Sequence, residues 1–118
     1  MLANQKRFEV YHATNPNFGM GKPKEFPKEY QHIATVRCKD LDDVFRVTNH
    51  VDRPWHENPD IRLHIKQAPR STSVGDIVVD QDGNQWRVES VGWKHLNEMN
   101  LPKKDRETNI LRMVGEGD

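Results

Sequence analysis

The sequence is short of the features that most simply declare a function. It has one cysteine, Cys38, so no disulfide closes within the chain, as expected of a reducing compartment. No apolar run approaches the roughly 20 residues needed to cross a bilayer, and residues 1–7 are polar where an export signal carries its apolar stretch. The expected setting is therefore cytoplasmic, with no membrane partner. Charge of one sign is also missing, because 18 Lys and Arg balance 18 Asp and Glu. That excludes an acidic nucleic-acid mimic and withholds the basic excess on which phosphate binding relies. Neither a Gly-x-Gly-x-x-Gly nor a Gly-x-x-x-x-Gly-Lys run offers a cradle for nucleotide phosphates.

What is present fits one folded domain with a small core. Leu, Ile, Val and Phe make up about 22% of the chain, above the level of about 20% below which chains tend to disorder. We read residues 1–118 as a single domain with a loop-rich arm at about 15–31 and a polar C-terminal extension at about 97–118. Residues 8–12 alternate apolar and polar side chains as a strand does. Residues 15–27 then hold three prolines and two glycines, which deny the arm regular hydrogen bonding. Its Phe18, Met20 and Phe26 are either tucked against the domain or offered to a partner. A second strand is expected over 32–38.

The clearest helix starts after Asp40, a capping residue, with Asp42 and Asp43 at its positive end. Leu41, Val44, Phe45 and Thr48 fall at i, i+3, i+4 and i+7, so one stripe faces the core. Pro54 ends the helical region by about 49–52. Residues 61–65 alternate as a third strand, Ile61, Leu63 and Ile65 opposite Arg62 and His64. Residues 77–80 and 85–91 form a hairpin around Asp82-Gly83, with Trp86 and Val88 on one face and Arg87, Glu89, Val91 and Trp93 on the other. A last short element is expected at 110–114. The implied fold class is α+β: a small twisted, mainly antiparallel sheet of four to six strands with one principal helix packed on one face.

Catalytic and metal chemistry leave little trace in these spacings. The six histidines occur singly, without the His-x-x-x-His pairing of zinc sites. No serine sits in a strand-turn-helix elbow, and Cys38 ends an apolar strand as a buried filler does. We therefore expect no cofactor, no metal and no catalytic set. Two loops do concentrate the residue types of interface hot spots: Arg53 with Trp55, and Arg70, Ser73 and Asp76 with Trp93. These six are the expected partner-binding residues. On that reading Trp55→Ala weakens partner capture and moves stability by less than about 1 kcal/mol. The competing reading has Trp55 and Trp93 covering the edge of the core while Arg70, Ser73 and Asp76 lock a turn.

Residues 40–50, Asp52-Arg-Pro-Trp55, Glu57-Asn-Pro59, Arg70-Ser-Thr-Ser-Val-Gly-Asp76 and the closing Ser90-Val-Gly-Trp93 together resemble small accessory proteins carried by phages, plasmids and integrated elements, including YodL-like domains. The resemblance covers roughly 33–96. It implies an accessory role in a bacterial cell and carries no activity or ligand residue with it. The functional expectation is a non-enzymatic binding protein of a mobile genetic element that engages a host or element-encoded protein, in counter-defence or regulation. A nucleic-acid-binding accessory factor using Lys22, Lys24 and Lys28, with Arg53, Arg62, Lys66 and Arg70, is the alternative. A small metal-dependent hydrolase centred on His50, His56 and Glu57 is the second.

Overall fold

The computed structural model describes residues 5–49 and 54–97. Six strands form one open antiparallel sheet: β1 (Lys6–Ala13), β2 (Tyr30–Cys38), β3 (Ile61–Leu63), β4 (Ile77–Asp80), β5 (Gln85–Val88) and β6 (Trp93–His95), in the order β3-β2-β1-β4-β5-β6. A single α-helix, α1 (Leu41–Thr48), and one turn of 3-10 helix, Trp55–Glu57, complete the regular structure among the described residues. The protein is thus α+β, as the patterning implied. No helix among the described residues is long and apolar enough to cross a membrane.

The period-2 pattern of each strand sorts its side chains to two faces. Phe8 and Val10 of β1 pair with Val36 and Ala34 of β2. Val78 of β4 pairs with Val10, and Ile61 of β3 with Val36. These residues form one buried face, and Val44 of α1 and Trp55 pack into the same cluster. The helix begins as its sequence dictates: the Asp40 side chain accepts the Asp43 amide at 2.9 Å, and the aspartates of the first turn complement the helix dipole. It ends at Thr48, whose hydroxyl donates back to the Val44 carbonyl.

Two expectations of strand extent are corrected. β3 stops at Leu63, because beyond the His64 amide, which still donates to Ile33, the chain leaves the edge of the sheet. β5 stops at Val88, and residues 89–92 make a second tight turn, closed by the Glu89 amide on the Gly92 carbonyl, with Gly92 at φ +73°. The chain then returns as β6, pairing Trp93 with Val88 and His95 with Trp86. Trp93 therefore shares the face of Val88 and Trp86 and does not join Arg87 on the other, while Val91 sits at the turn. The Asp-Gly hairpin forms as expected, with the Asp80 carboxylate accepting the Asp82 and Asn84 amides and Gly83 at φ +89°. The element expected at 110–114 and the extension from residue 98 lie outside the described residues.

Candidate functional site

The segment Arg70–Asp76 folds around a buried carboxylate. Asp76 is 1% exposed and accepts from the amides of Ala13 and Ser73 at 3.0 and 2.8 Å. The Arg70 guanidinium grips it through both terminal nitrogens, at 2.7 and 2.8 Å, a bidentate pairing of matched planar groups. Arg70 also donates to the Ser71 and Ala13 carbonyls, and its own carbonyl accepts the Trp55 indole N–H at 3.1 Å. Beneath lies Thr72, whose amide donates to the Thr48 carbonyl, while its hydroxyl shares a 3.0 Å hydrogen bond with His12 Nε2. Burial holds the His12 imidazole down at about 4, against the pull of Asp76 and aided by Arg70.

Of the residues expected to bind a partner, Trp55, Arg70, Ser73 and Asp76 therefore do meet, but mostly indoors. Trp55 is 3% exposed and belongs to the core cluster, which corrects its assignment to an open patch. Trp93 lies elsewhere, half-buried, donating to Asp42 at the first turn of α1, whereas the Arg70–Asp76 loop bonds the helix's last residue. Arg53 lies outside the described residues, as does His50 of the hydrolase reading. A hydroxyl, an imidazole and a carboxylate in one network are also the parts of an acyl-transfer triad. Here Thr72 has no exposed surface, and Asp76 holds Arg70 and two amides while standing 4.0 Å from His12. The network ties strands together and offers no route to a substrate.

The open surface begins where this network meets the arm. The arm is closed at its base by the Thr14 amide on the Glu29 carbonyl, and Phe26 packs edge-on against Tyr11 and Tyr30. Tyr30 in turn donates to the Gly75 carbonyl at 2.7 Å. Phe18 stands over the Arg70 guanidinium, 5.8 Å from ring centre to Cζ, within cation–π range. Gly19 rests on Val74 so closely that a Cβ would lie 2.6 Å from its Cγ1. Between arm and sheet runs a groove of about 100 Å³, whose walls include Phe18, Gly19, Gly21, Val74, Gly75 and Ser90. Among the described residues the exposed large apolar side chains are Phe18 (52%), Met20 (77%) and Val91 (91%). Phe18 lines this groove, and Met20 and Val91 adjoin residues that do. Phe26 is thus the tucked member of the arm, and Phe18 and Met20 are the offered ones. The sequence signal for this was already in the glycines flanking Met20, which leave it no neighbours to hide behind.

A second polar group occupies the sheet face away from α1. Glu9 Oε1 lies 2.8 Å from His32 Nε2 and accepts the Thr35 hydroxyl at 2.6 Å, and the same hydroxyl lies 2.8 Å from His64 Nε2. Burial and the neighbouring His32 ring hold His64 below the usual imidazole range. Sequence spacing alone does not reveal this group, because its members come from β1, β2 and the residue just past β3. The chain matches no family model, no curated protein and no solved structure.

Proposed function

We propose that this is a non-enzymatic binding protein of a bacterial mobile genetic element, acting in counter-defence or regulation, and that it captures a protein partner at the groove between the arm and the sheet. The resemblance over residues 33–96 supports the setting. The carrying observation for the surface is that exposed Phe18 lines this groove and that the exposed Met20 and Val91 are chain neighbours of residues lining it, since exposed apolar groups cluster where a partner covers them. Arg70 and Asp76, the latter also held by the Ser73 amide, then fix Ala13 at the base of the arm, and Arg70 lies against Phe18. Lys22 and Lys24 flank the groove and make no ion pair among the described residues. The complementary occupant is an extended peptide segment that places apolar side chains beside carboxylates.

Selection of a displayed random-peptide library against the full chain tests this. Enrichment of peptides combining apolar and acidic residues, with binding reduced at least tenfold by Phe18→Ser with Val91→Ser, supports the reading. Equal binding by the double variant overturns it. Titration with DNA and RNA at two salt concentrations runs alongside: a steep loss of affinity with salt that depends on Lys22, Lys24 and Lys28 replaces the protein partner with a nucleic acid.

A further inference from the structure

Along a regular strand, residues three apart point to opposite faces, so His32 and Thr35 should be separated by the sheet. They are not, because β2 carries one extra residue against β1: Val10 pairs with Ala34, yet the next residue, Tyr11, pairs with His32. Ile33 and Ala34 are consequently both buried, and His32 and Thr35 emerge together beside Glu9, which pairs with Thr35. On the other flank Arg62 of β3 pairs with Thr35, and His64, two residues on, brings its ring to 4.4 Å from that of His32. Bulges of this kind re-aim side chains and recur beside functional sites. Here the bulge assembles one carboxylate and two imidazoles whose ligand atoms all lie within 4.8 Å of one another.

We propose that Glu9, His32 and His64 form a zinc site, with the Thr35 hydroxyl as hydrogen-bond donor to the ligating carboxylate. Two imidazoles and a carboxylate suit a borderline transition metal and do not suit magnesium or calcium, which take oxygen ligands. Zinc bonds of about 2.0–2.2 Å set tetrahedral neighbours roughly 3.3–3.5 Å apart. With the ligand atoms already within 4.8 Å of one another, reaching that spacing requires closing the widest pair by roughly 1.3 Å at most, and the partial exposure of these side chains leaves them room to turn. Ligation through Nε2 requires each ring to carry its proton on Nδ1. The Arg7 salt bridge engages Glu9 Oε2 at 3.3 Å, so Oε1, which faces His32 and Thr35, is the oxygen for the metal, with zinc taking the place of the His32 hydrogen bond. Three protein ligands leave a fourth position to water or to a side chain of another molecule. The site stands apart from the groove and is independent of the partner reading.

Calorimetric titration of the full chain with zinc sulfate, paired with the visible absorption of the cobalt(II) form, tests the assignment. The expected result is one zinc per chain, weakened at least tenfold by His64→Ala, by His32→Ala and by Glu9→Gln, and left unchanged by His56→Ala. Zinc should also raise the melting temperature of the wild type and not that of His64→Ala, whose exposed position keeps the variant folded. Thr35→Val should weaken zinc by roughly tenfold, the scale of a lost support to a ligand. Absence of stoichiometric binding, binding indifferent to His64→Ala, or binding abolished by His56→Ala would each overturn the proposal.

Discussion

At the scale of single residues, burial decides roles that residue type leaves open. Tryptophan in a proline-flanked loop has the chemistry of a hot spot and equally that of a core plug. Only the non-local bond from its indole N–H to the Arg70 carbonyl selects the second. Trp55→Ala therefore leaves a cavity and an orphaned carbonyl, and should cost about 3–5 kcal/mol in urea unfolding, well beyond the change of about 1 kcal/mol that an open position implies. A loss under 1 kcal/mol would return Trp55 to the surface. His12 yields a pH signature with a definite sign. Folded, it stays neutral down to about pH 4; unfolded, it takes a proton near 6.5. Between those values the unfolded chain binds more protons, so stability is lost as pH falls through 6.5 and levels off below 4. For a side chain this enclosed the loss is about 3 kcal/mol. Urea unfolding of wild type and His12→Gln from pH 7.5 to 4 should diverge by that amount, and parallel curves would refute the assignment.

At the scale of elements, what was legible in the sequence is what local chemistry writes. The capped helix and the Asp-Gly hairpin stand where their patterns put them, since each is fixed by residues no more than about ten positions apart, although Val47 and not Phe45 packs against the core beside Leu41 and Val44. The bulge at Ile33 was not legible: a single extra residue inverts the alternation, and nothing in a strand of mixed side chains announces it. The second turn at Gly92 is not legible because the valines at 88 and 91 let residues 85–91 read as one strand across Glu89 and Ser90, while the positive φ that ends the strand belongs to a glycine common in many contexts. The arm's attachment rests likewise on a contact that spacing cannot show, Gly19 on Val74. Gly19, at φ +84°, tolerates that approach only without a side chain. Gly19→Ala adds a left-handed alanine, at about 1–2 kcal/mol, and a clash with Val74. The arm can relieve both by lifting away, so global stability should fall by less than about 2 kcal/mol. Amides of the arm should meanwhile lose hydrogen-exchange protection, and peptide binding at the groove should weaken. Retained arm protection in the variant would mean that the contact is not what seats it.

At the scale of the whole molecule, the sheet is two locally wired halves joined at one seam. β2 pairs with β1 and β3, and β5 with β4 and β6, each through connections along one stretch of chain, whereas β1 meets β4 across some seventy residues, Phe8 opposite Asp80 and Tyr11 opposite Ile77. Sequence patterning gives five of the six strands but not this order, because many pairings satisfy the same alternation. The seam is specified instead by polar groups at one end: Asp76 takes the Ala13 amide, Arg70 the Ala13 carbonyl, and Thr72 the His12 ring. Such a set discriminates register, because shifting β4 by one residue would strand a buried carboxylate without its donors. Asp76→Ala, which leaves Arg70 and two amides without their acceptor, should cost about 3–5 kcal/mol and should act first at the junction. Native-state hydrogen exchange is the measurement. In the wild type the slowest amides should lie in β1, β2 and β4, and the fastest strand amides in the three-residue edges β3 and β6. In the variant, the amides that bridge β1 and β4 should exchange through an opening cheaper than global unfolding, while the β1–β2 ladder keeps its protection. Uniform acceleration across all six strands would instead show one cooperative unit, with Asp76 contributing to stability everywhere and to strand order nowhere in particular.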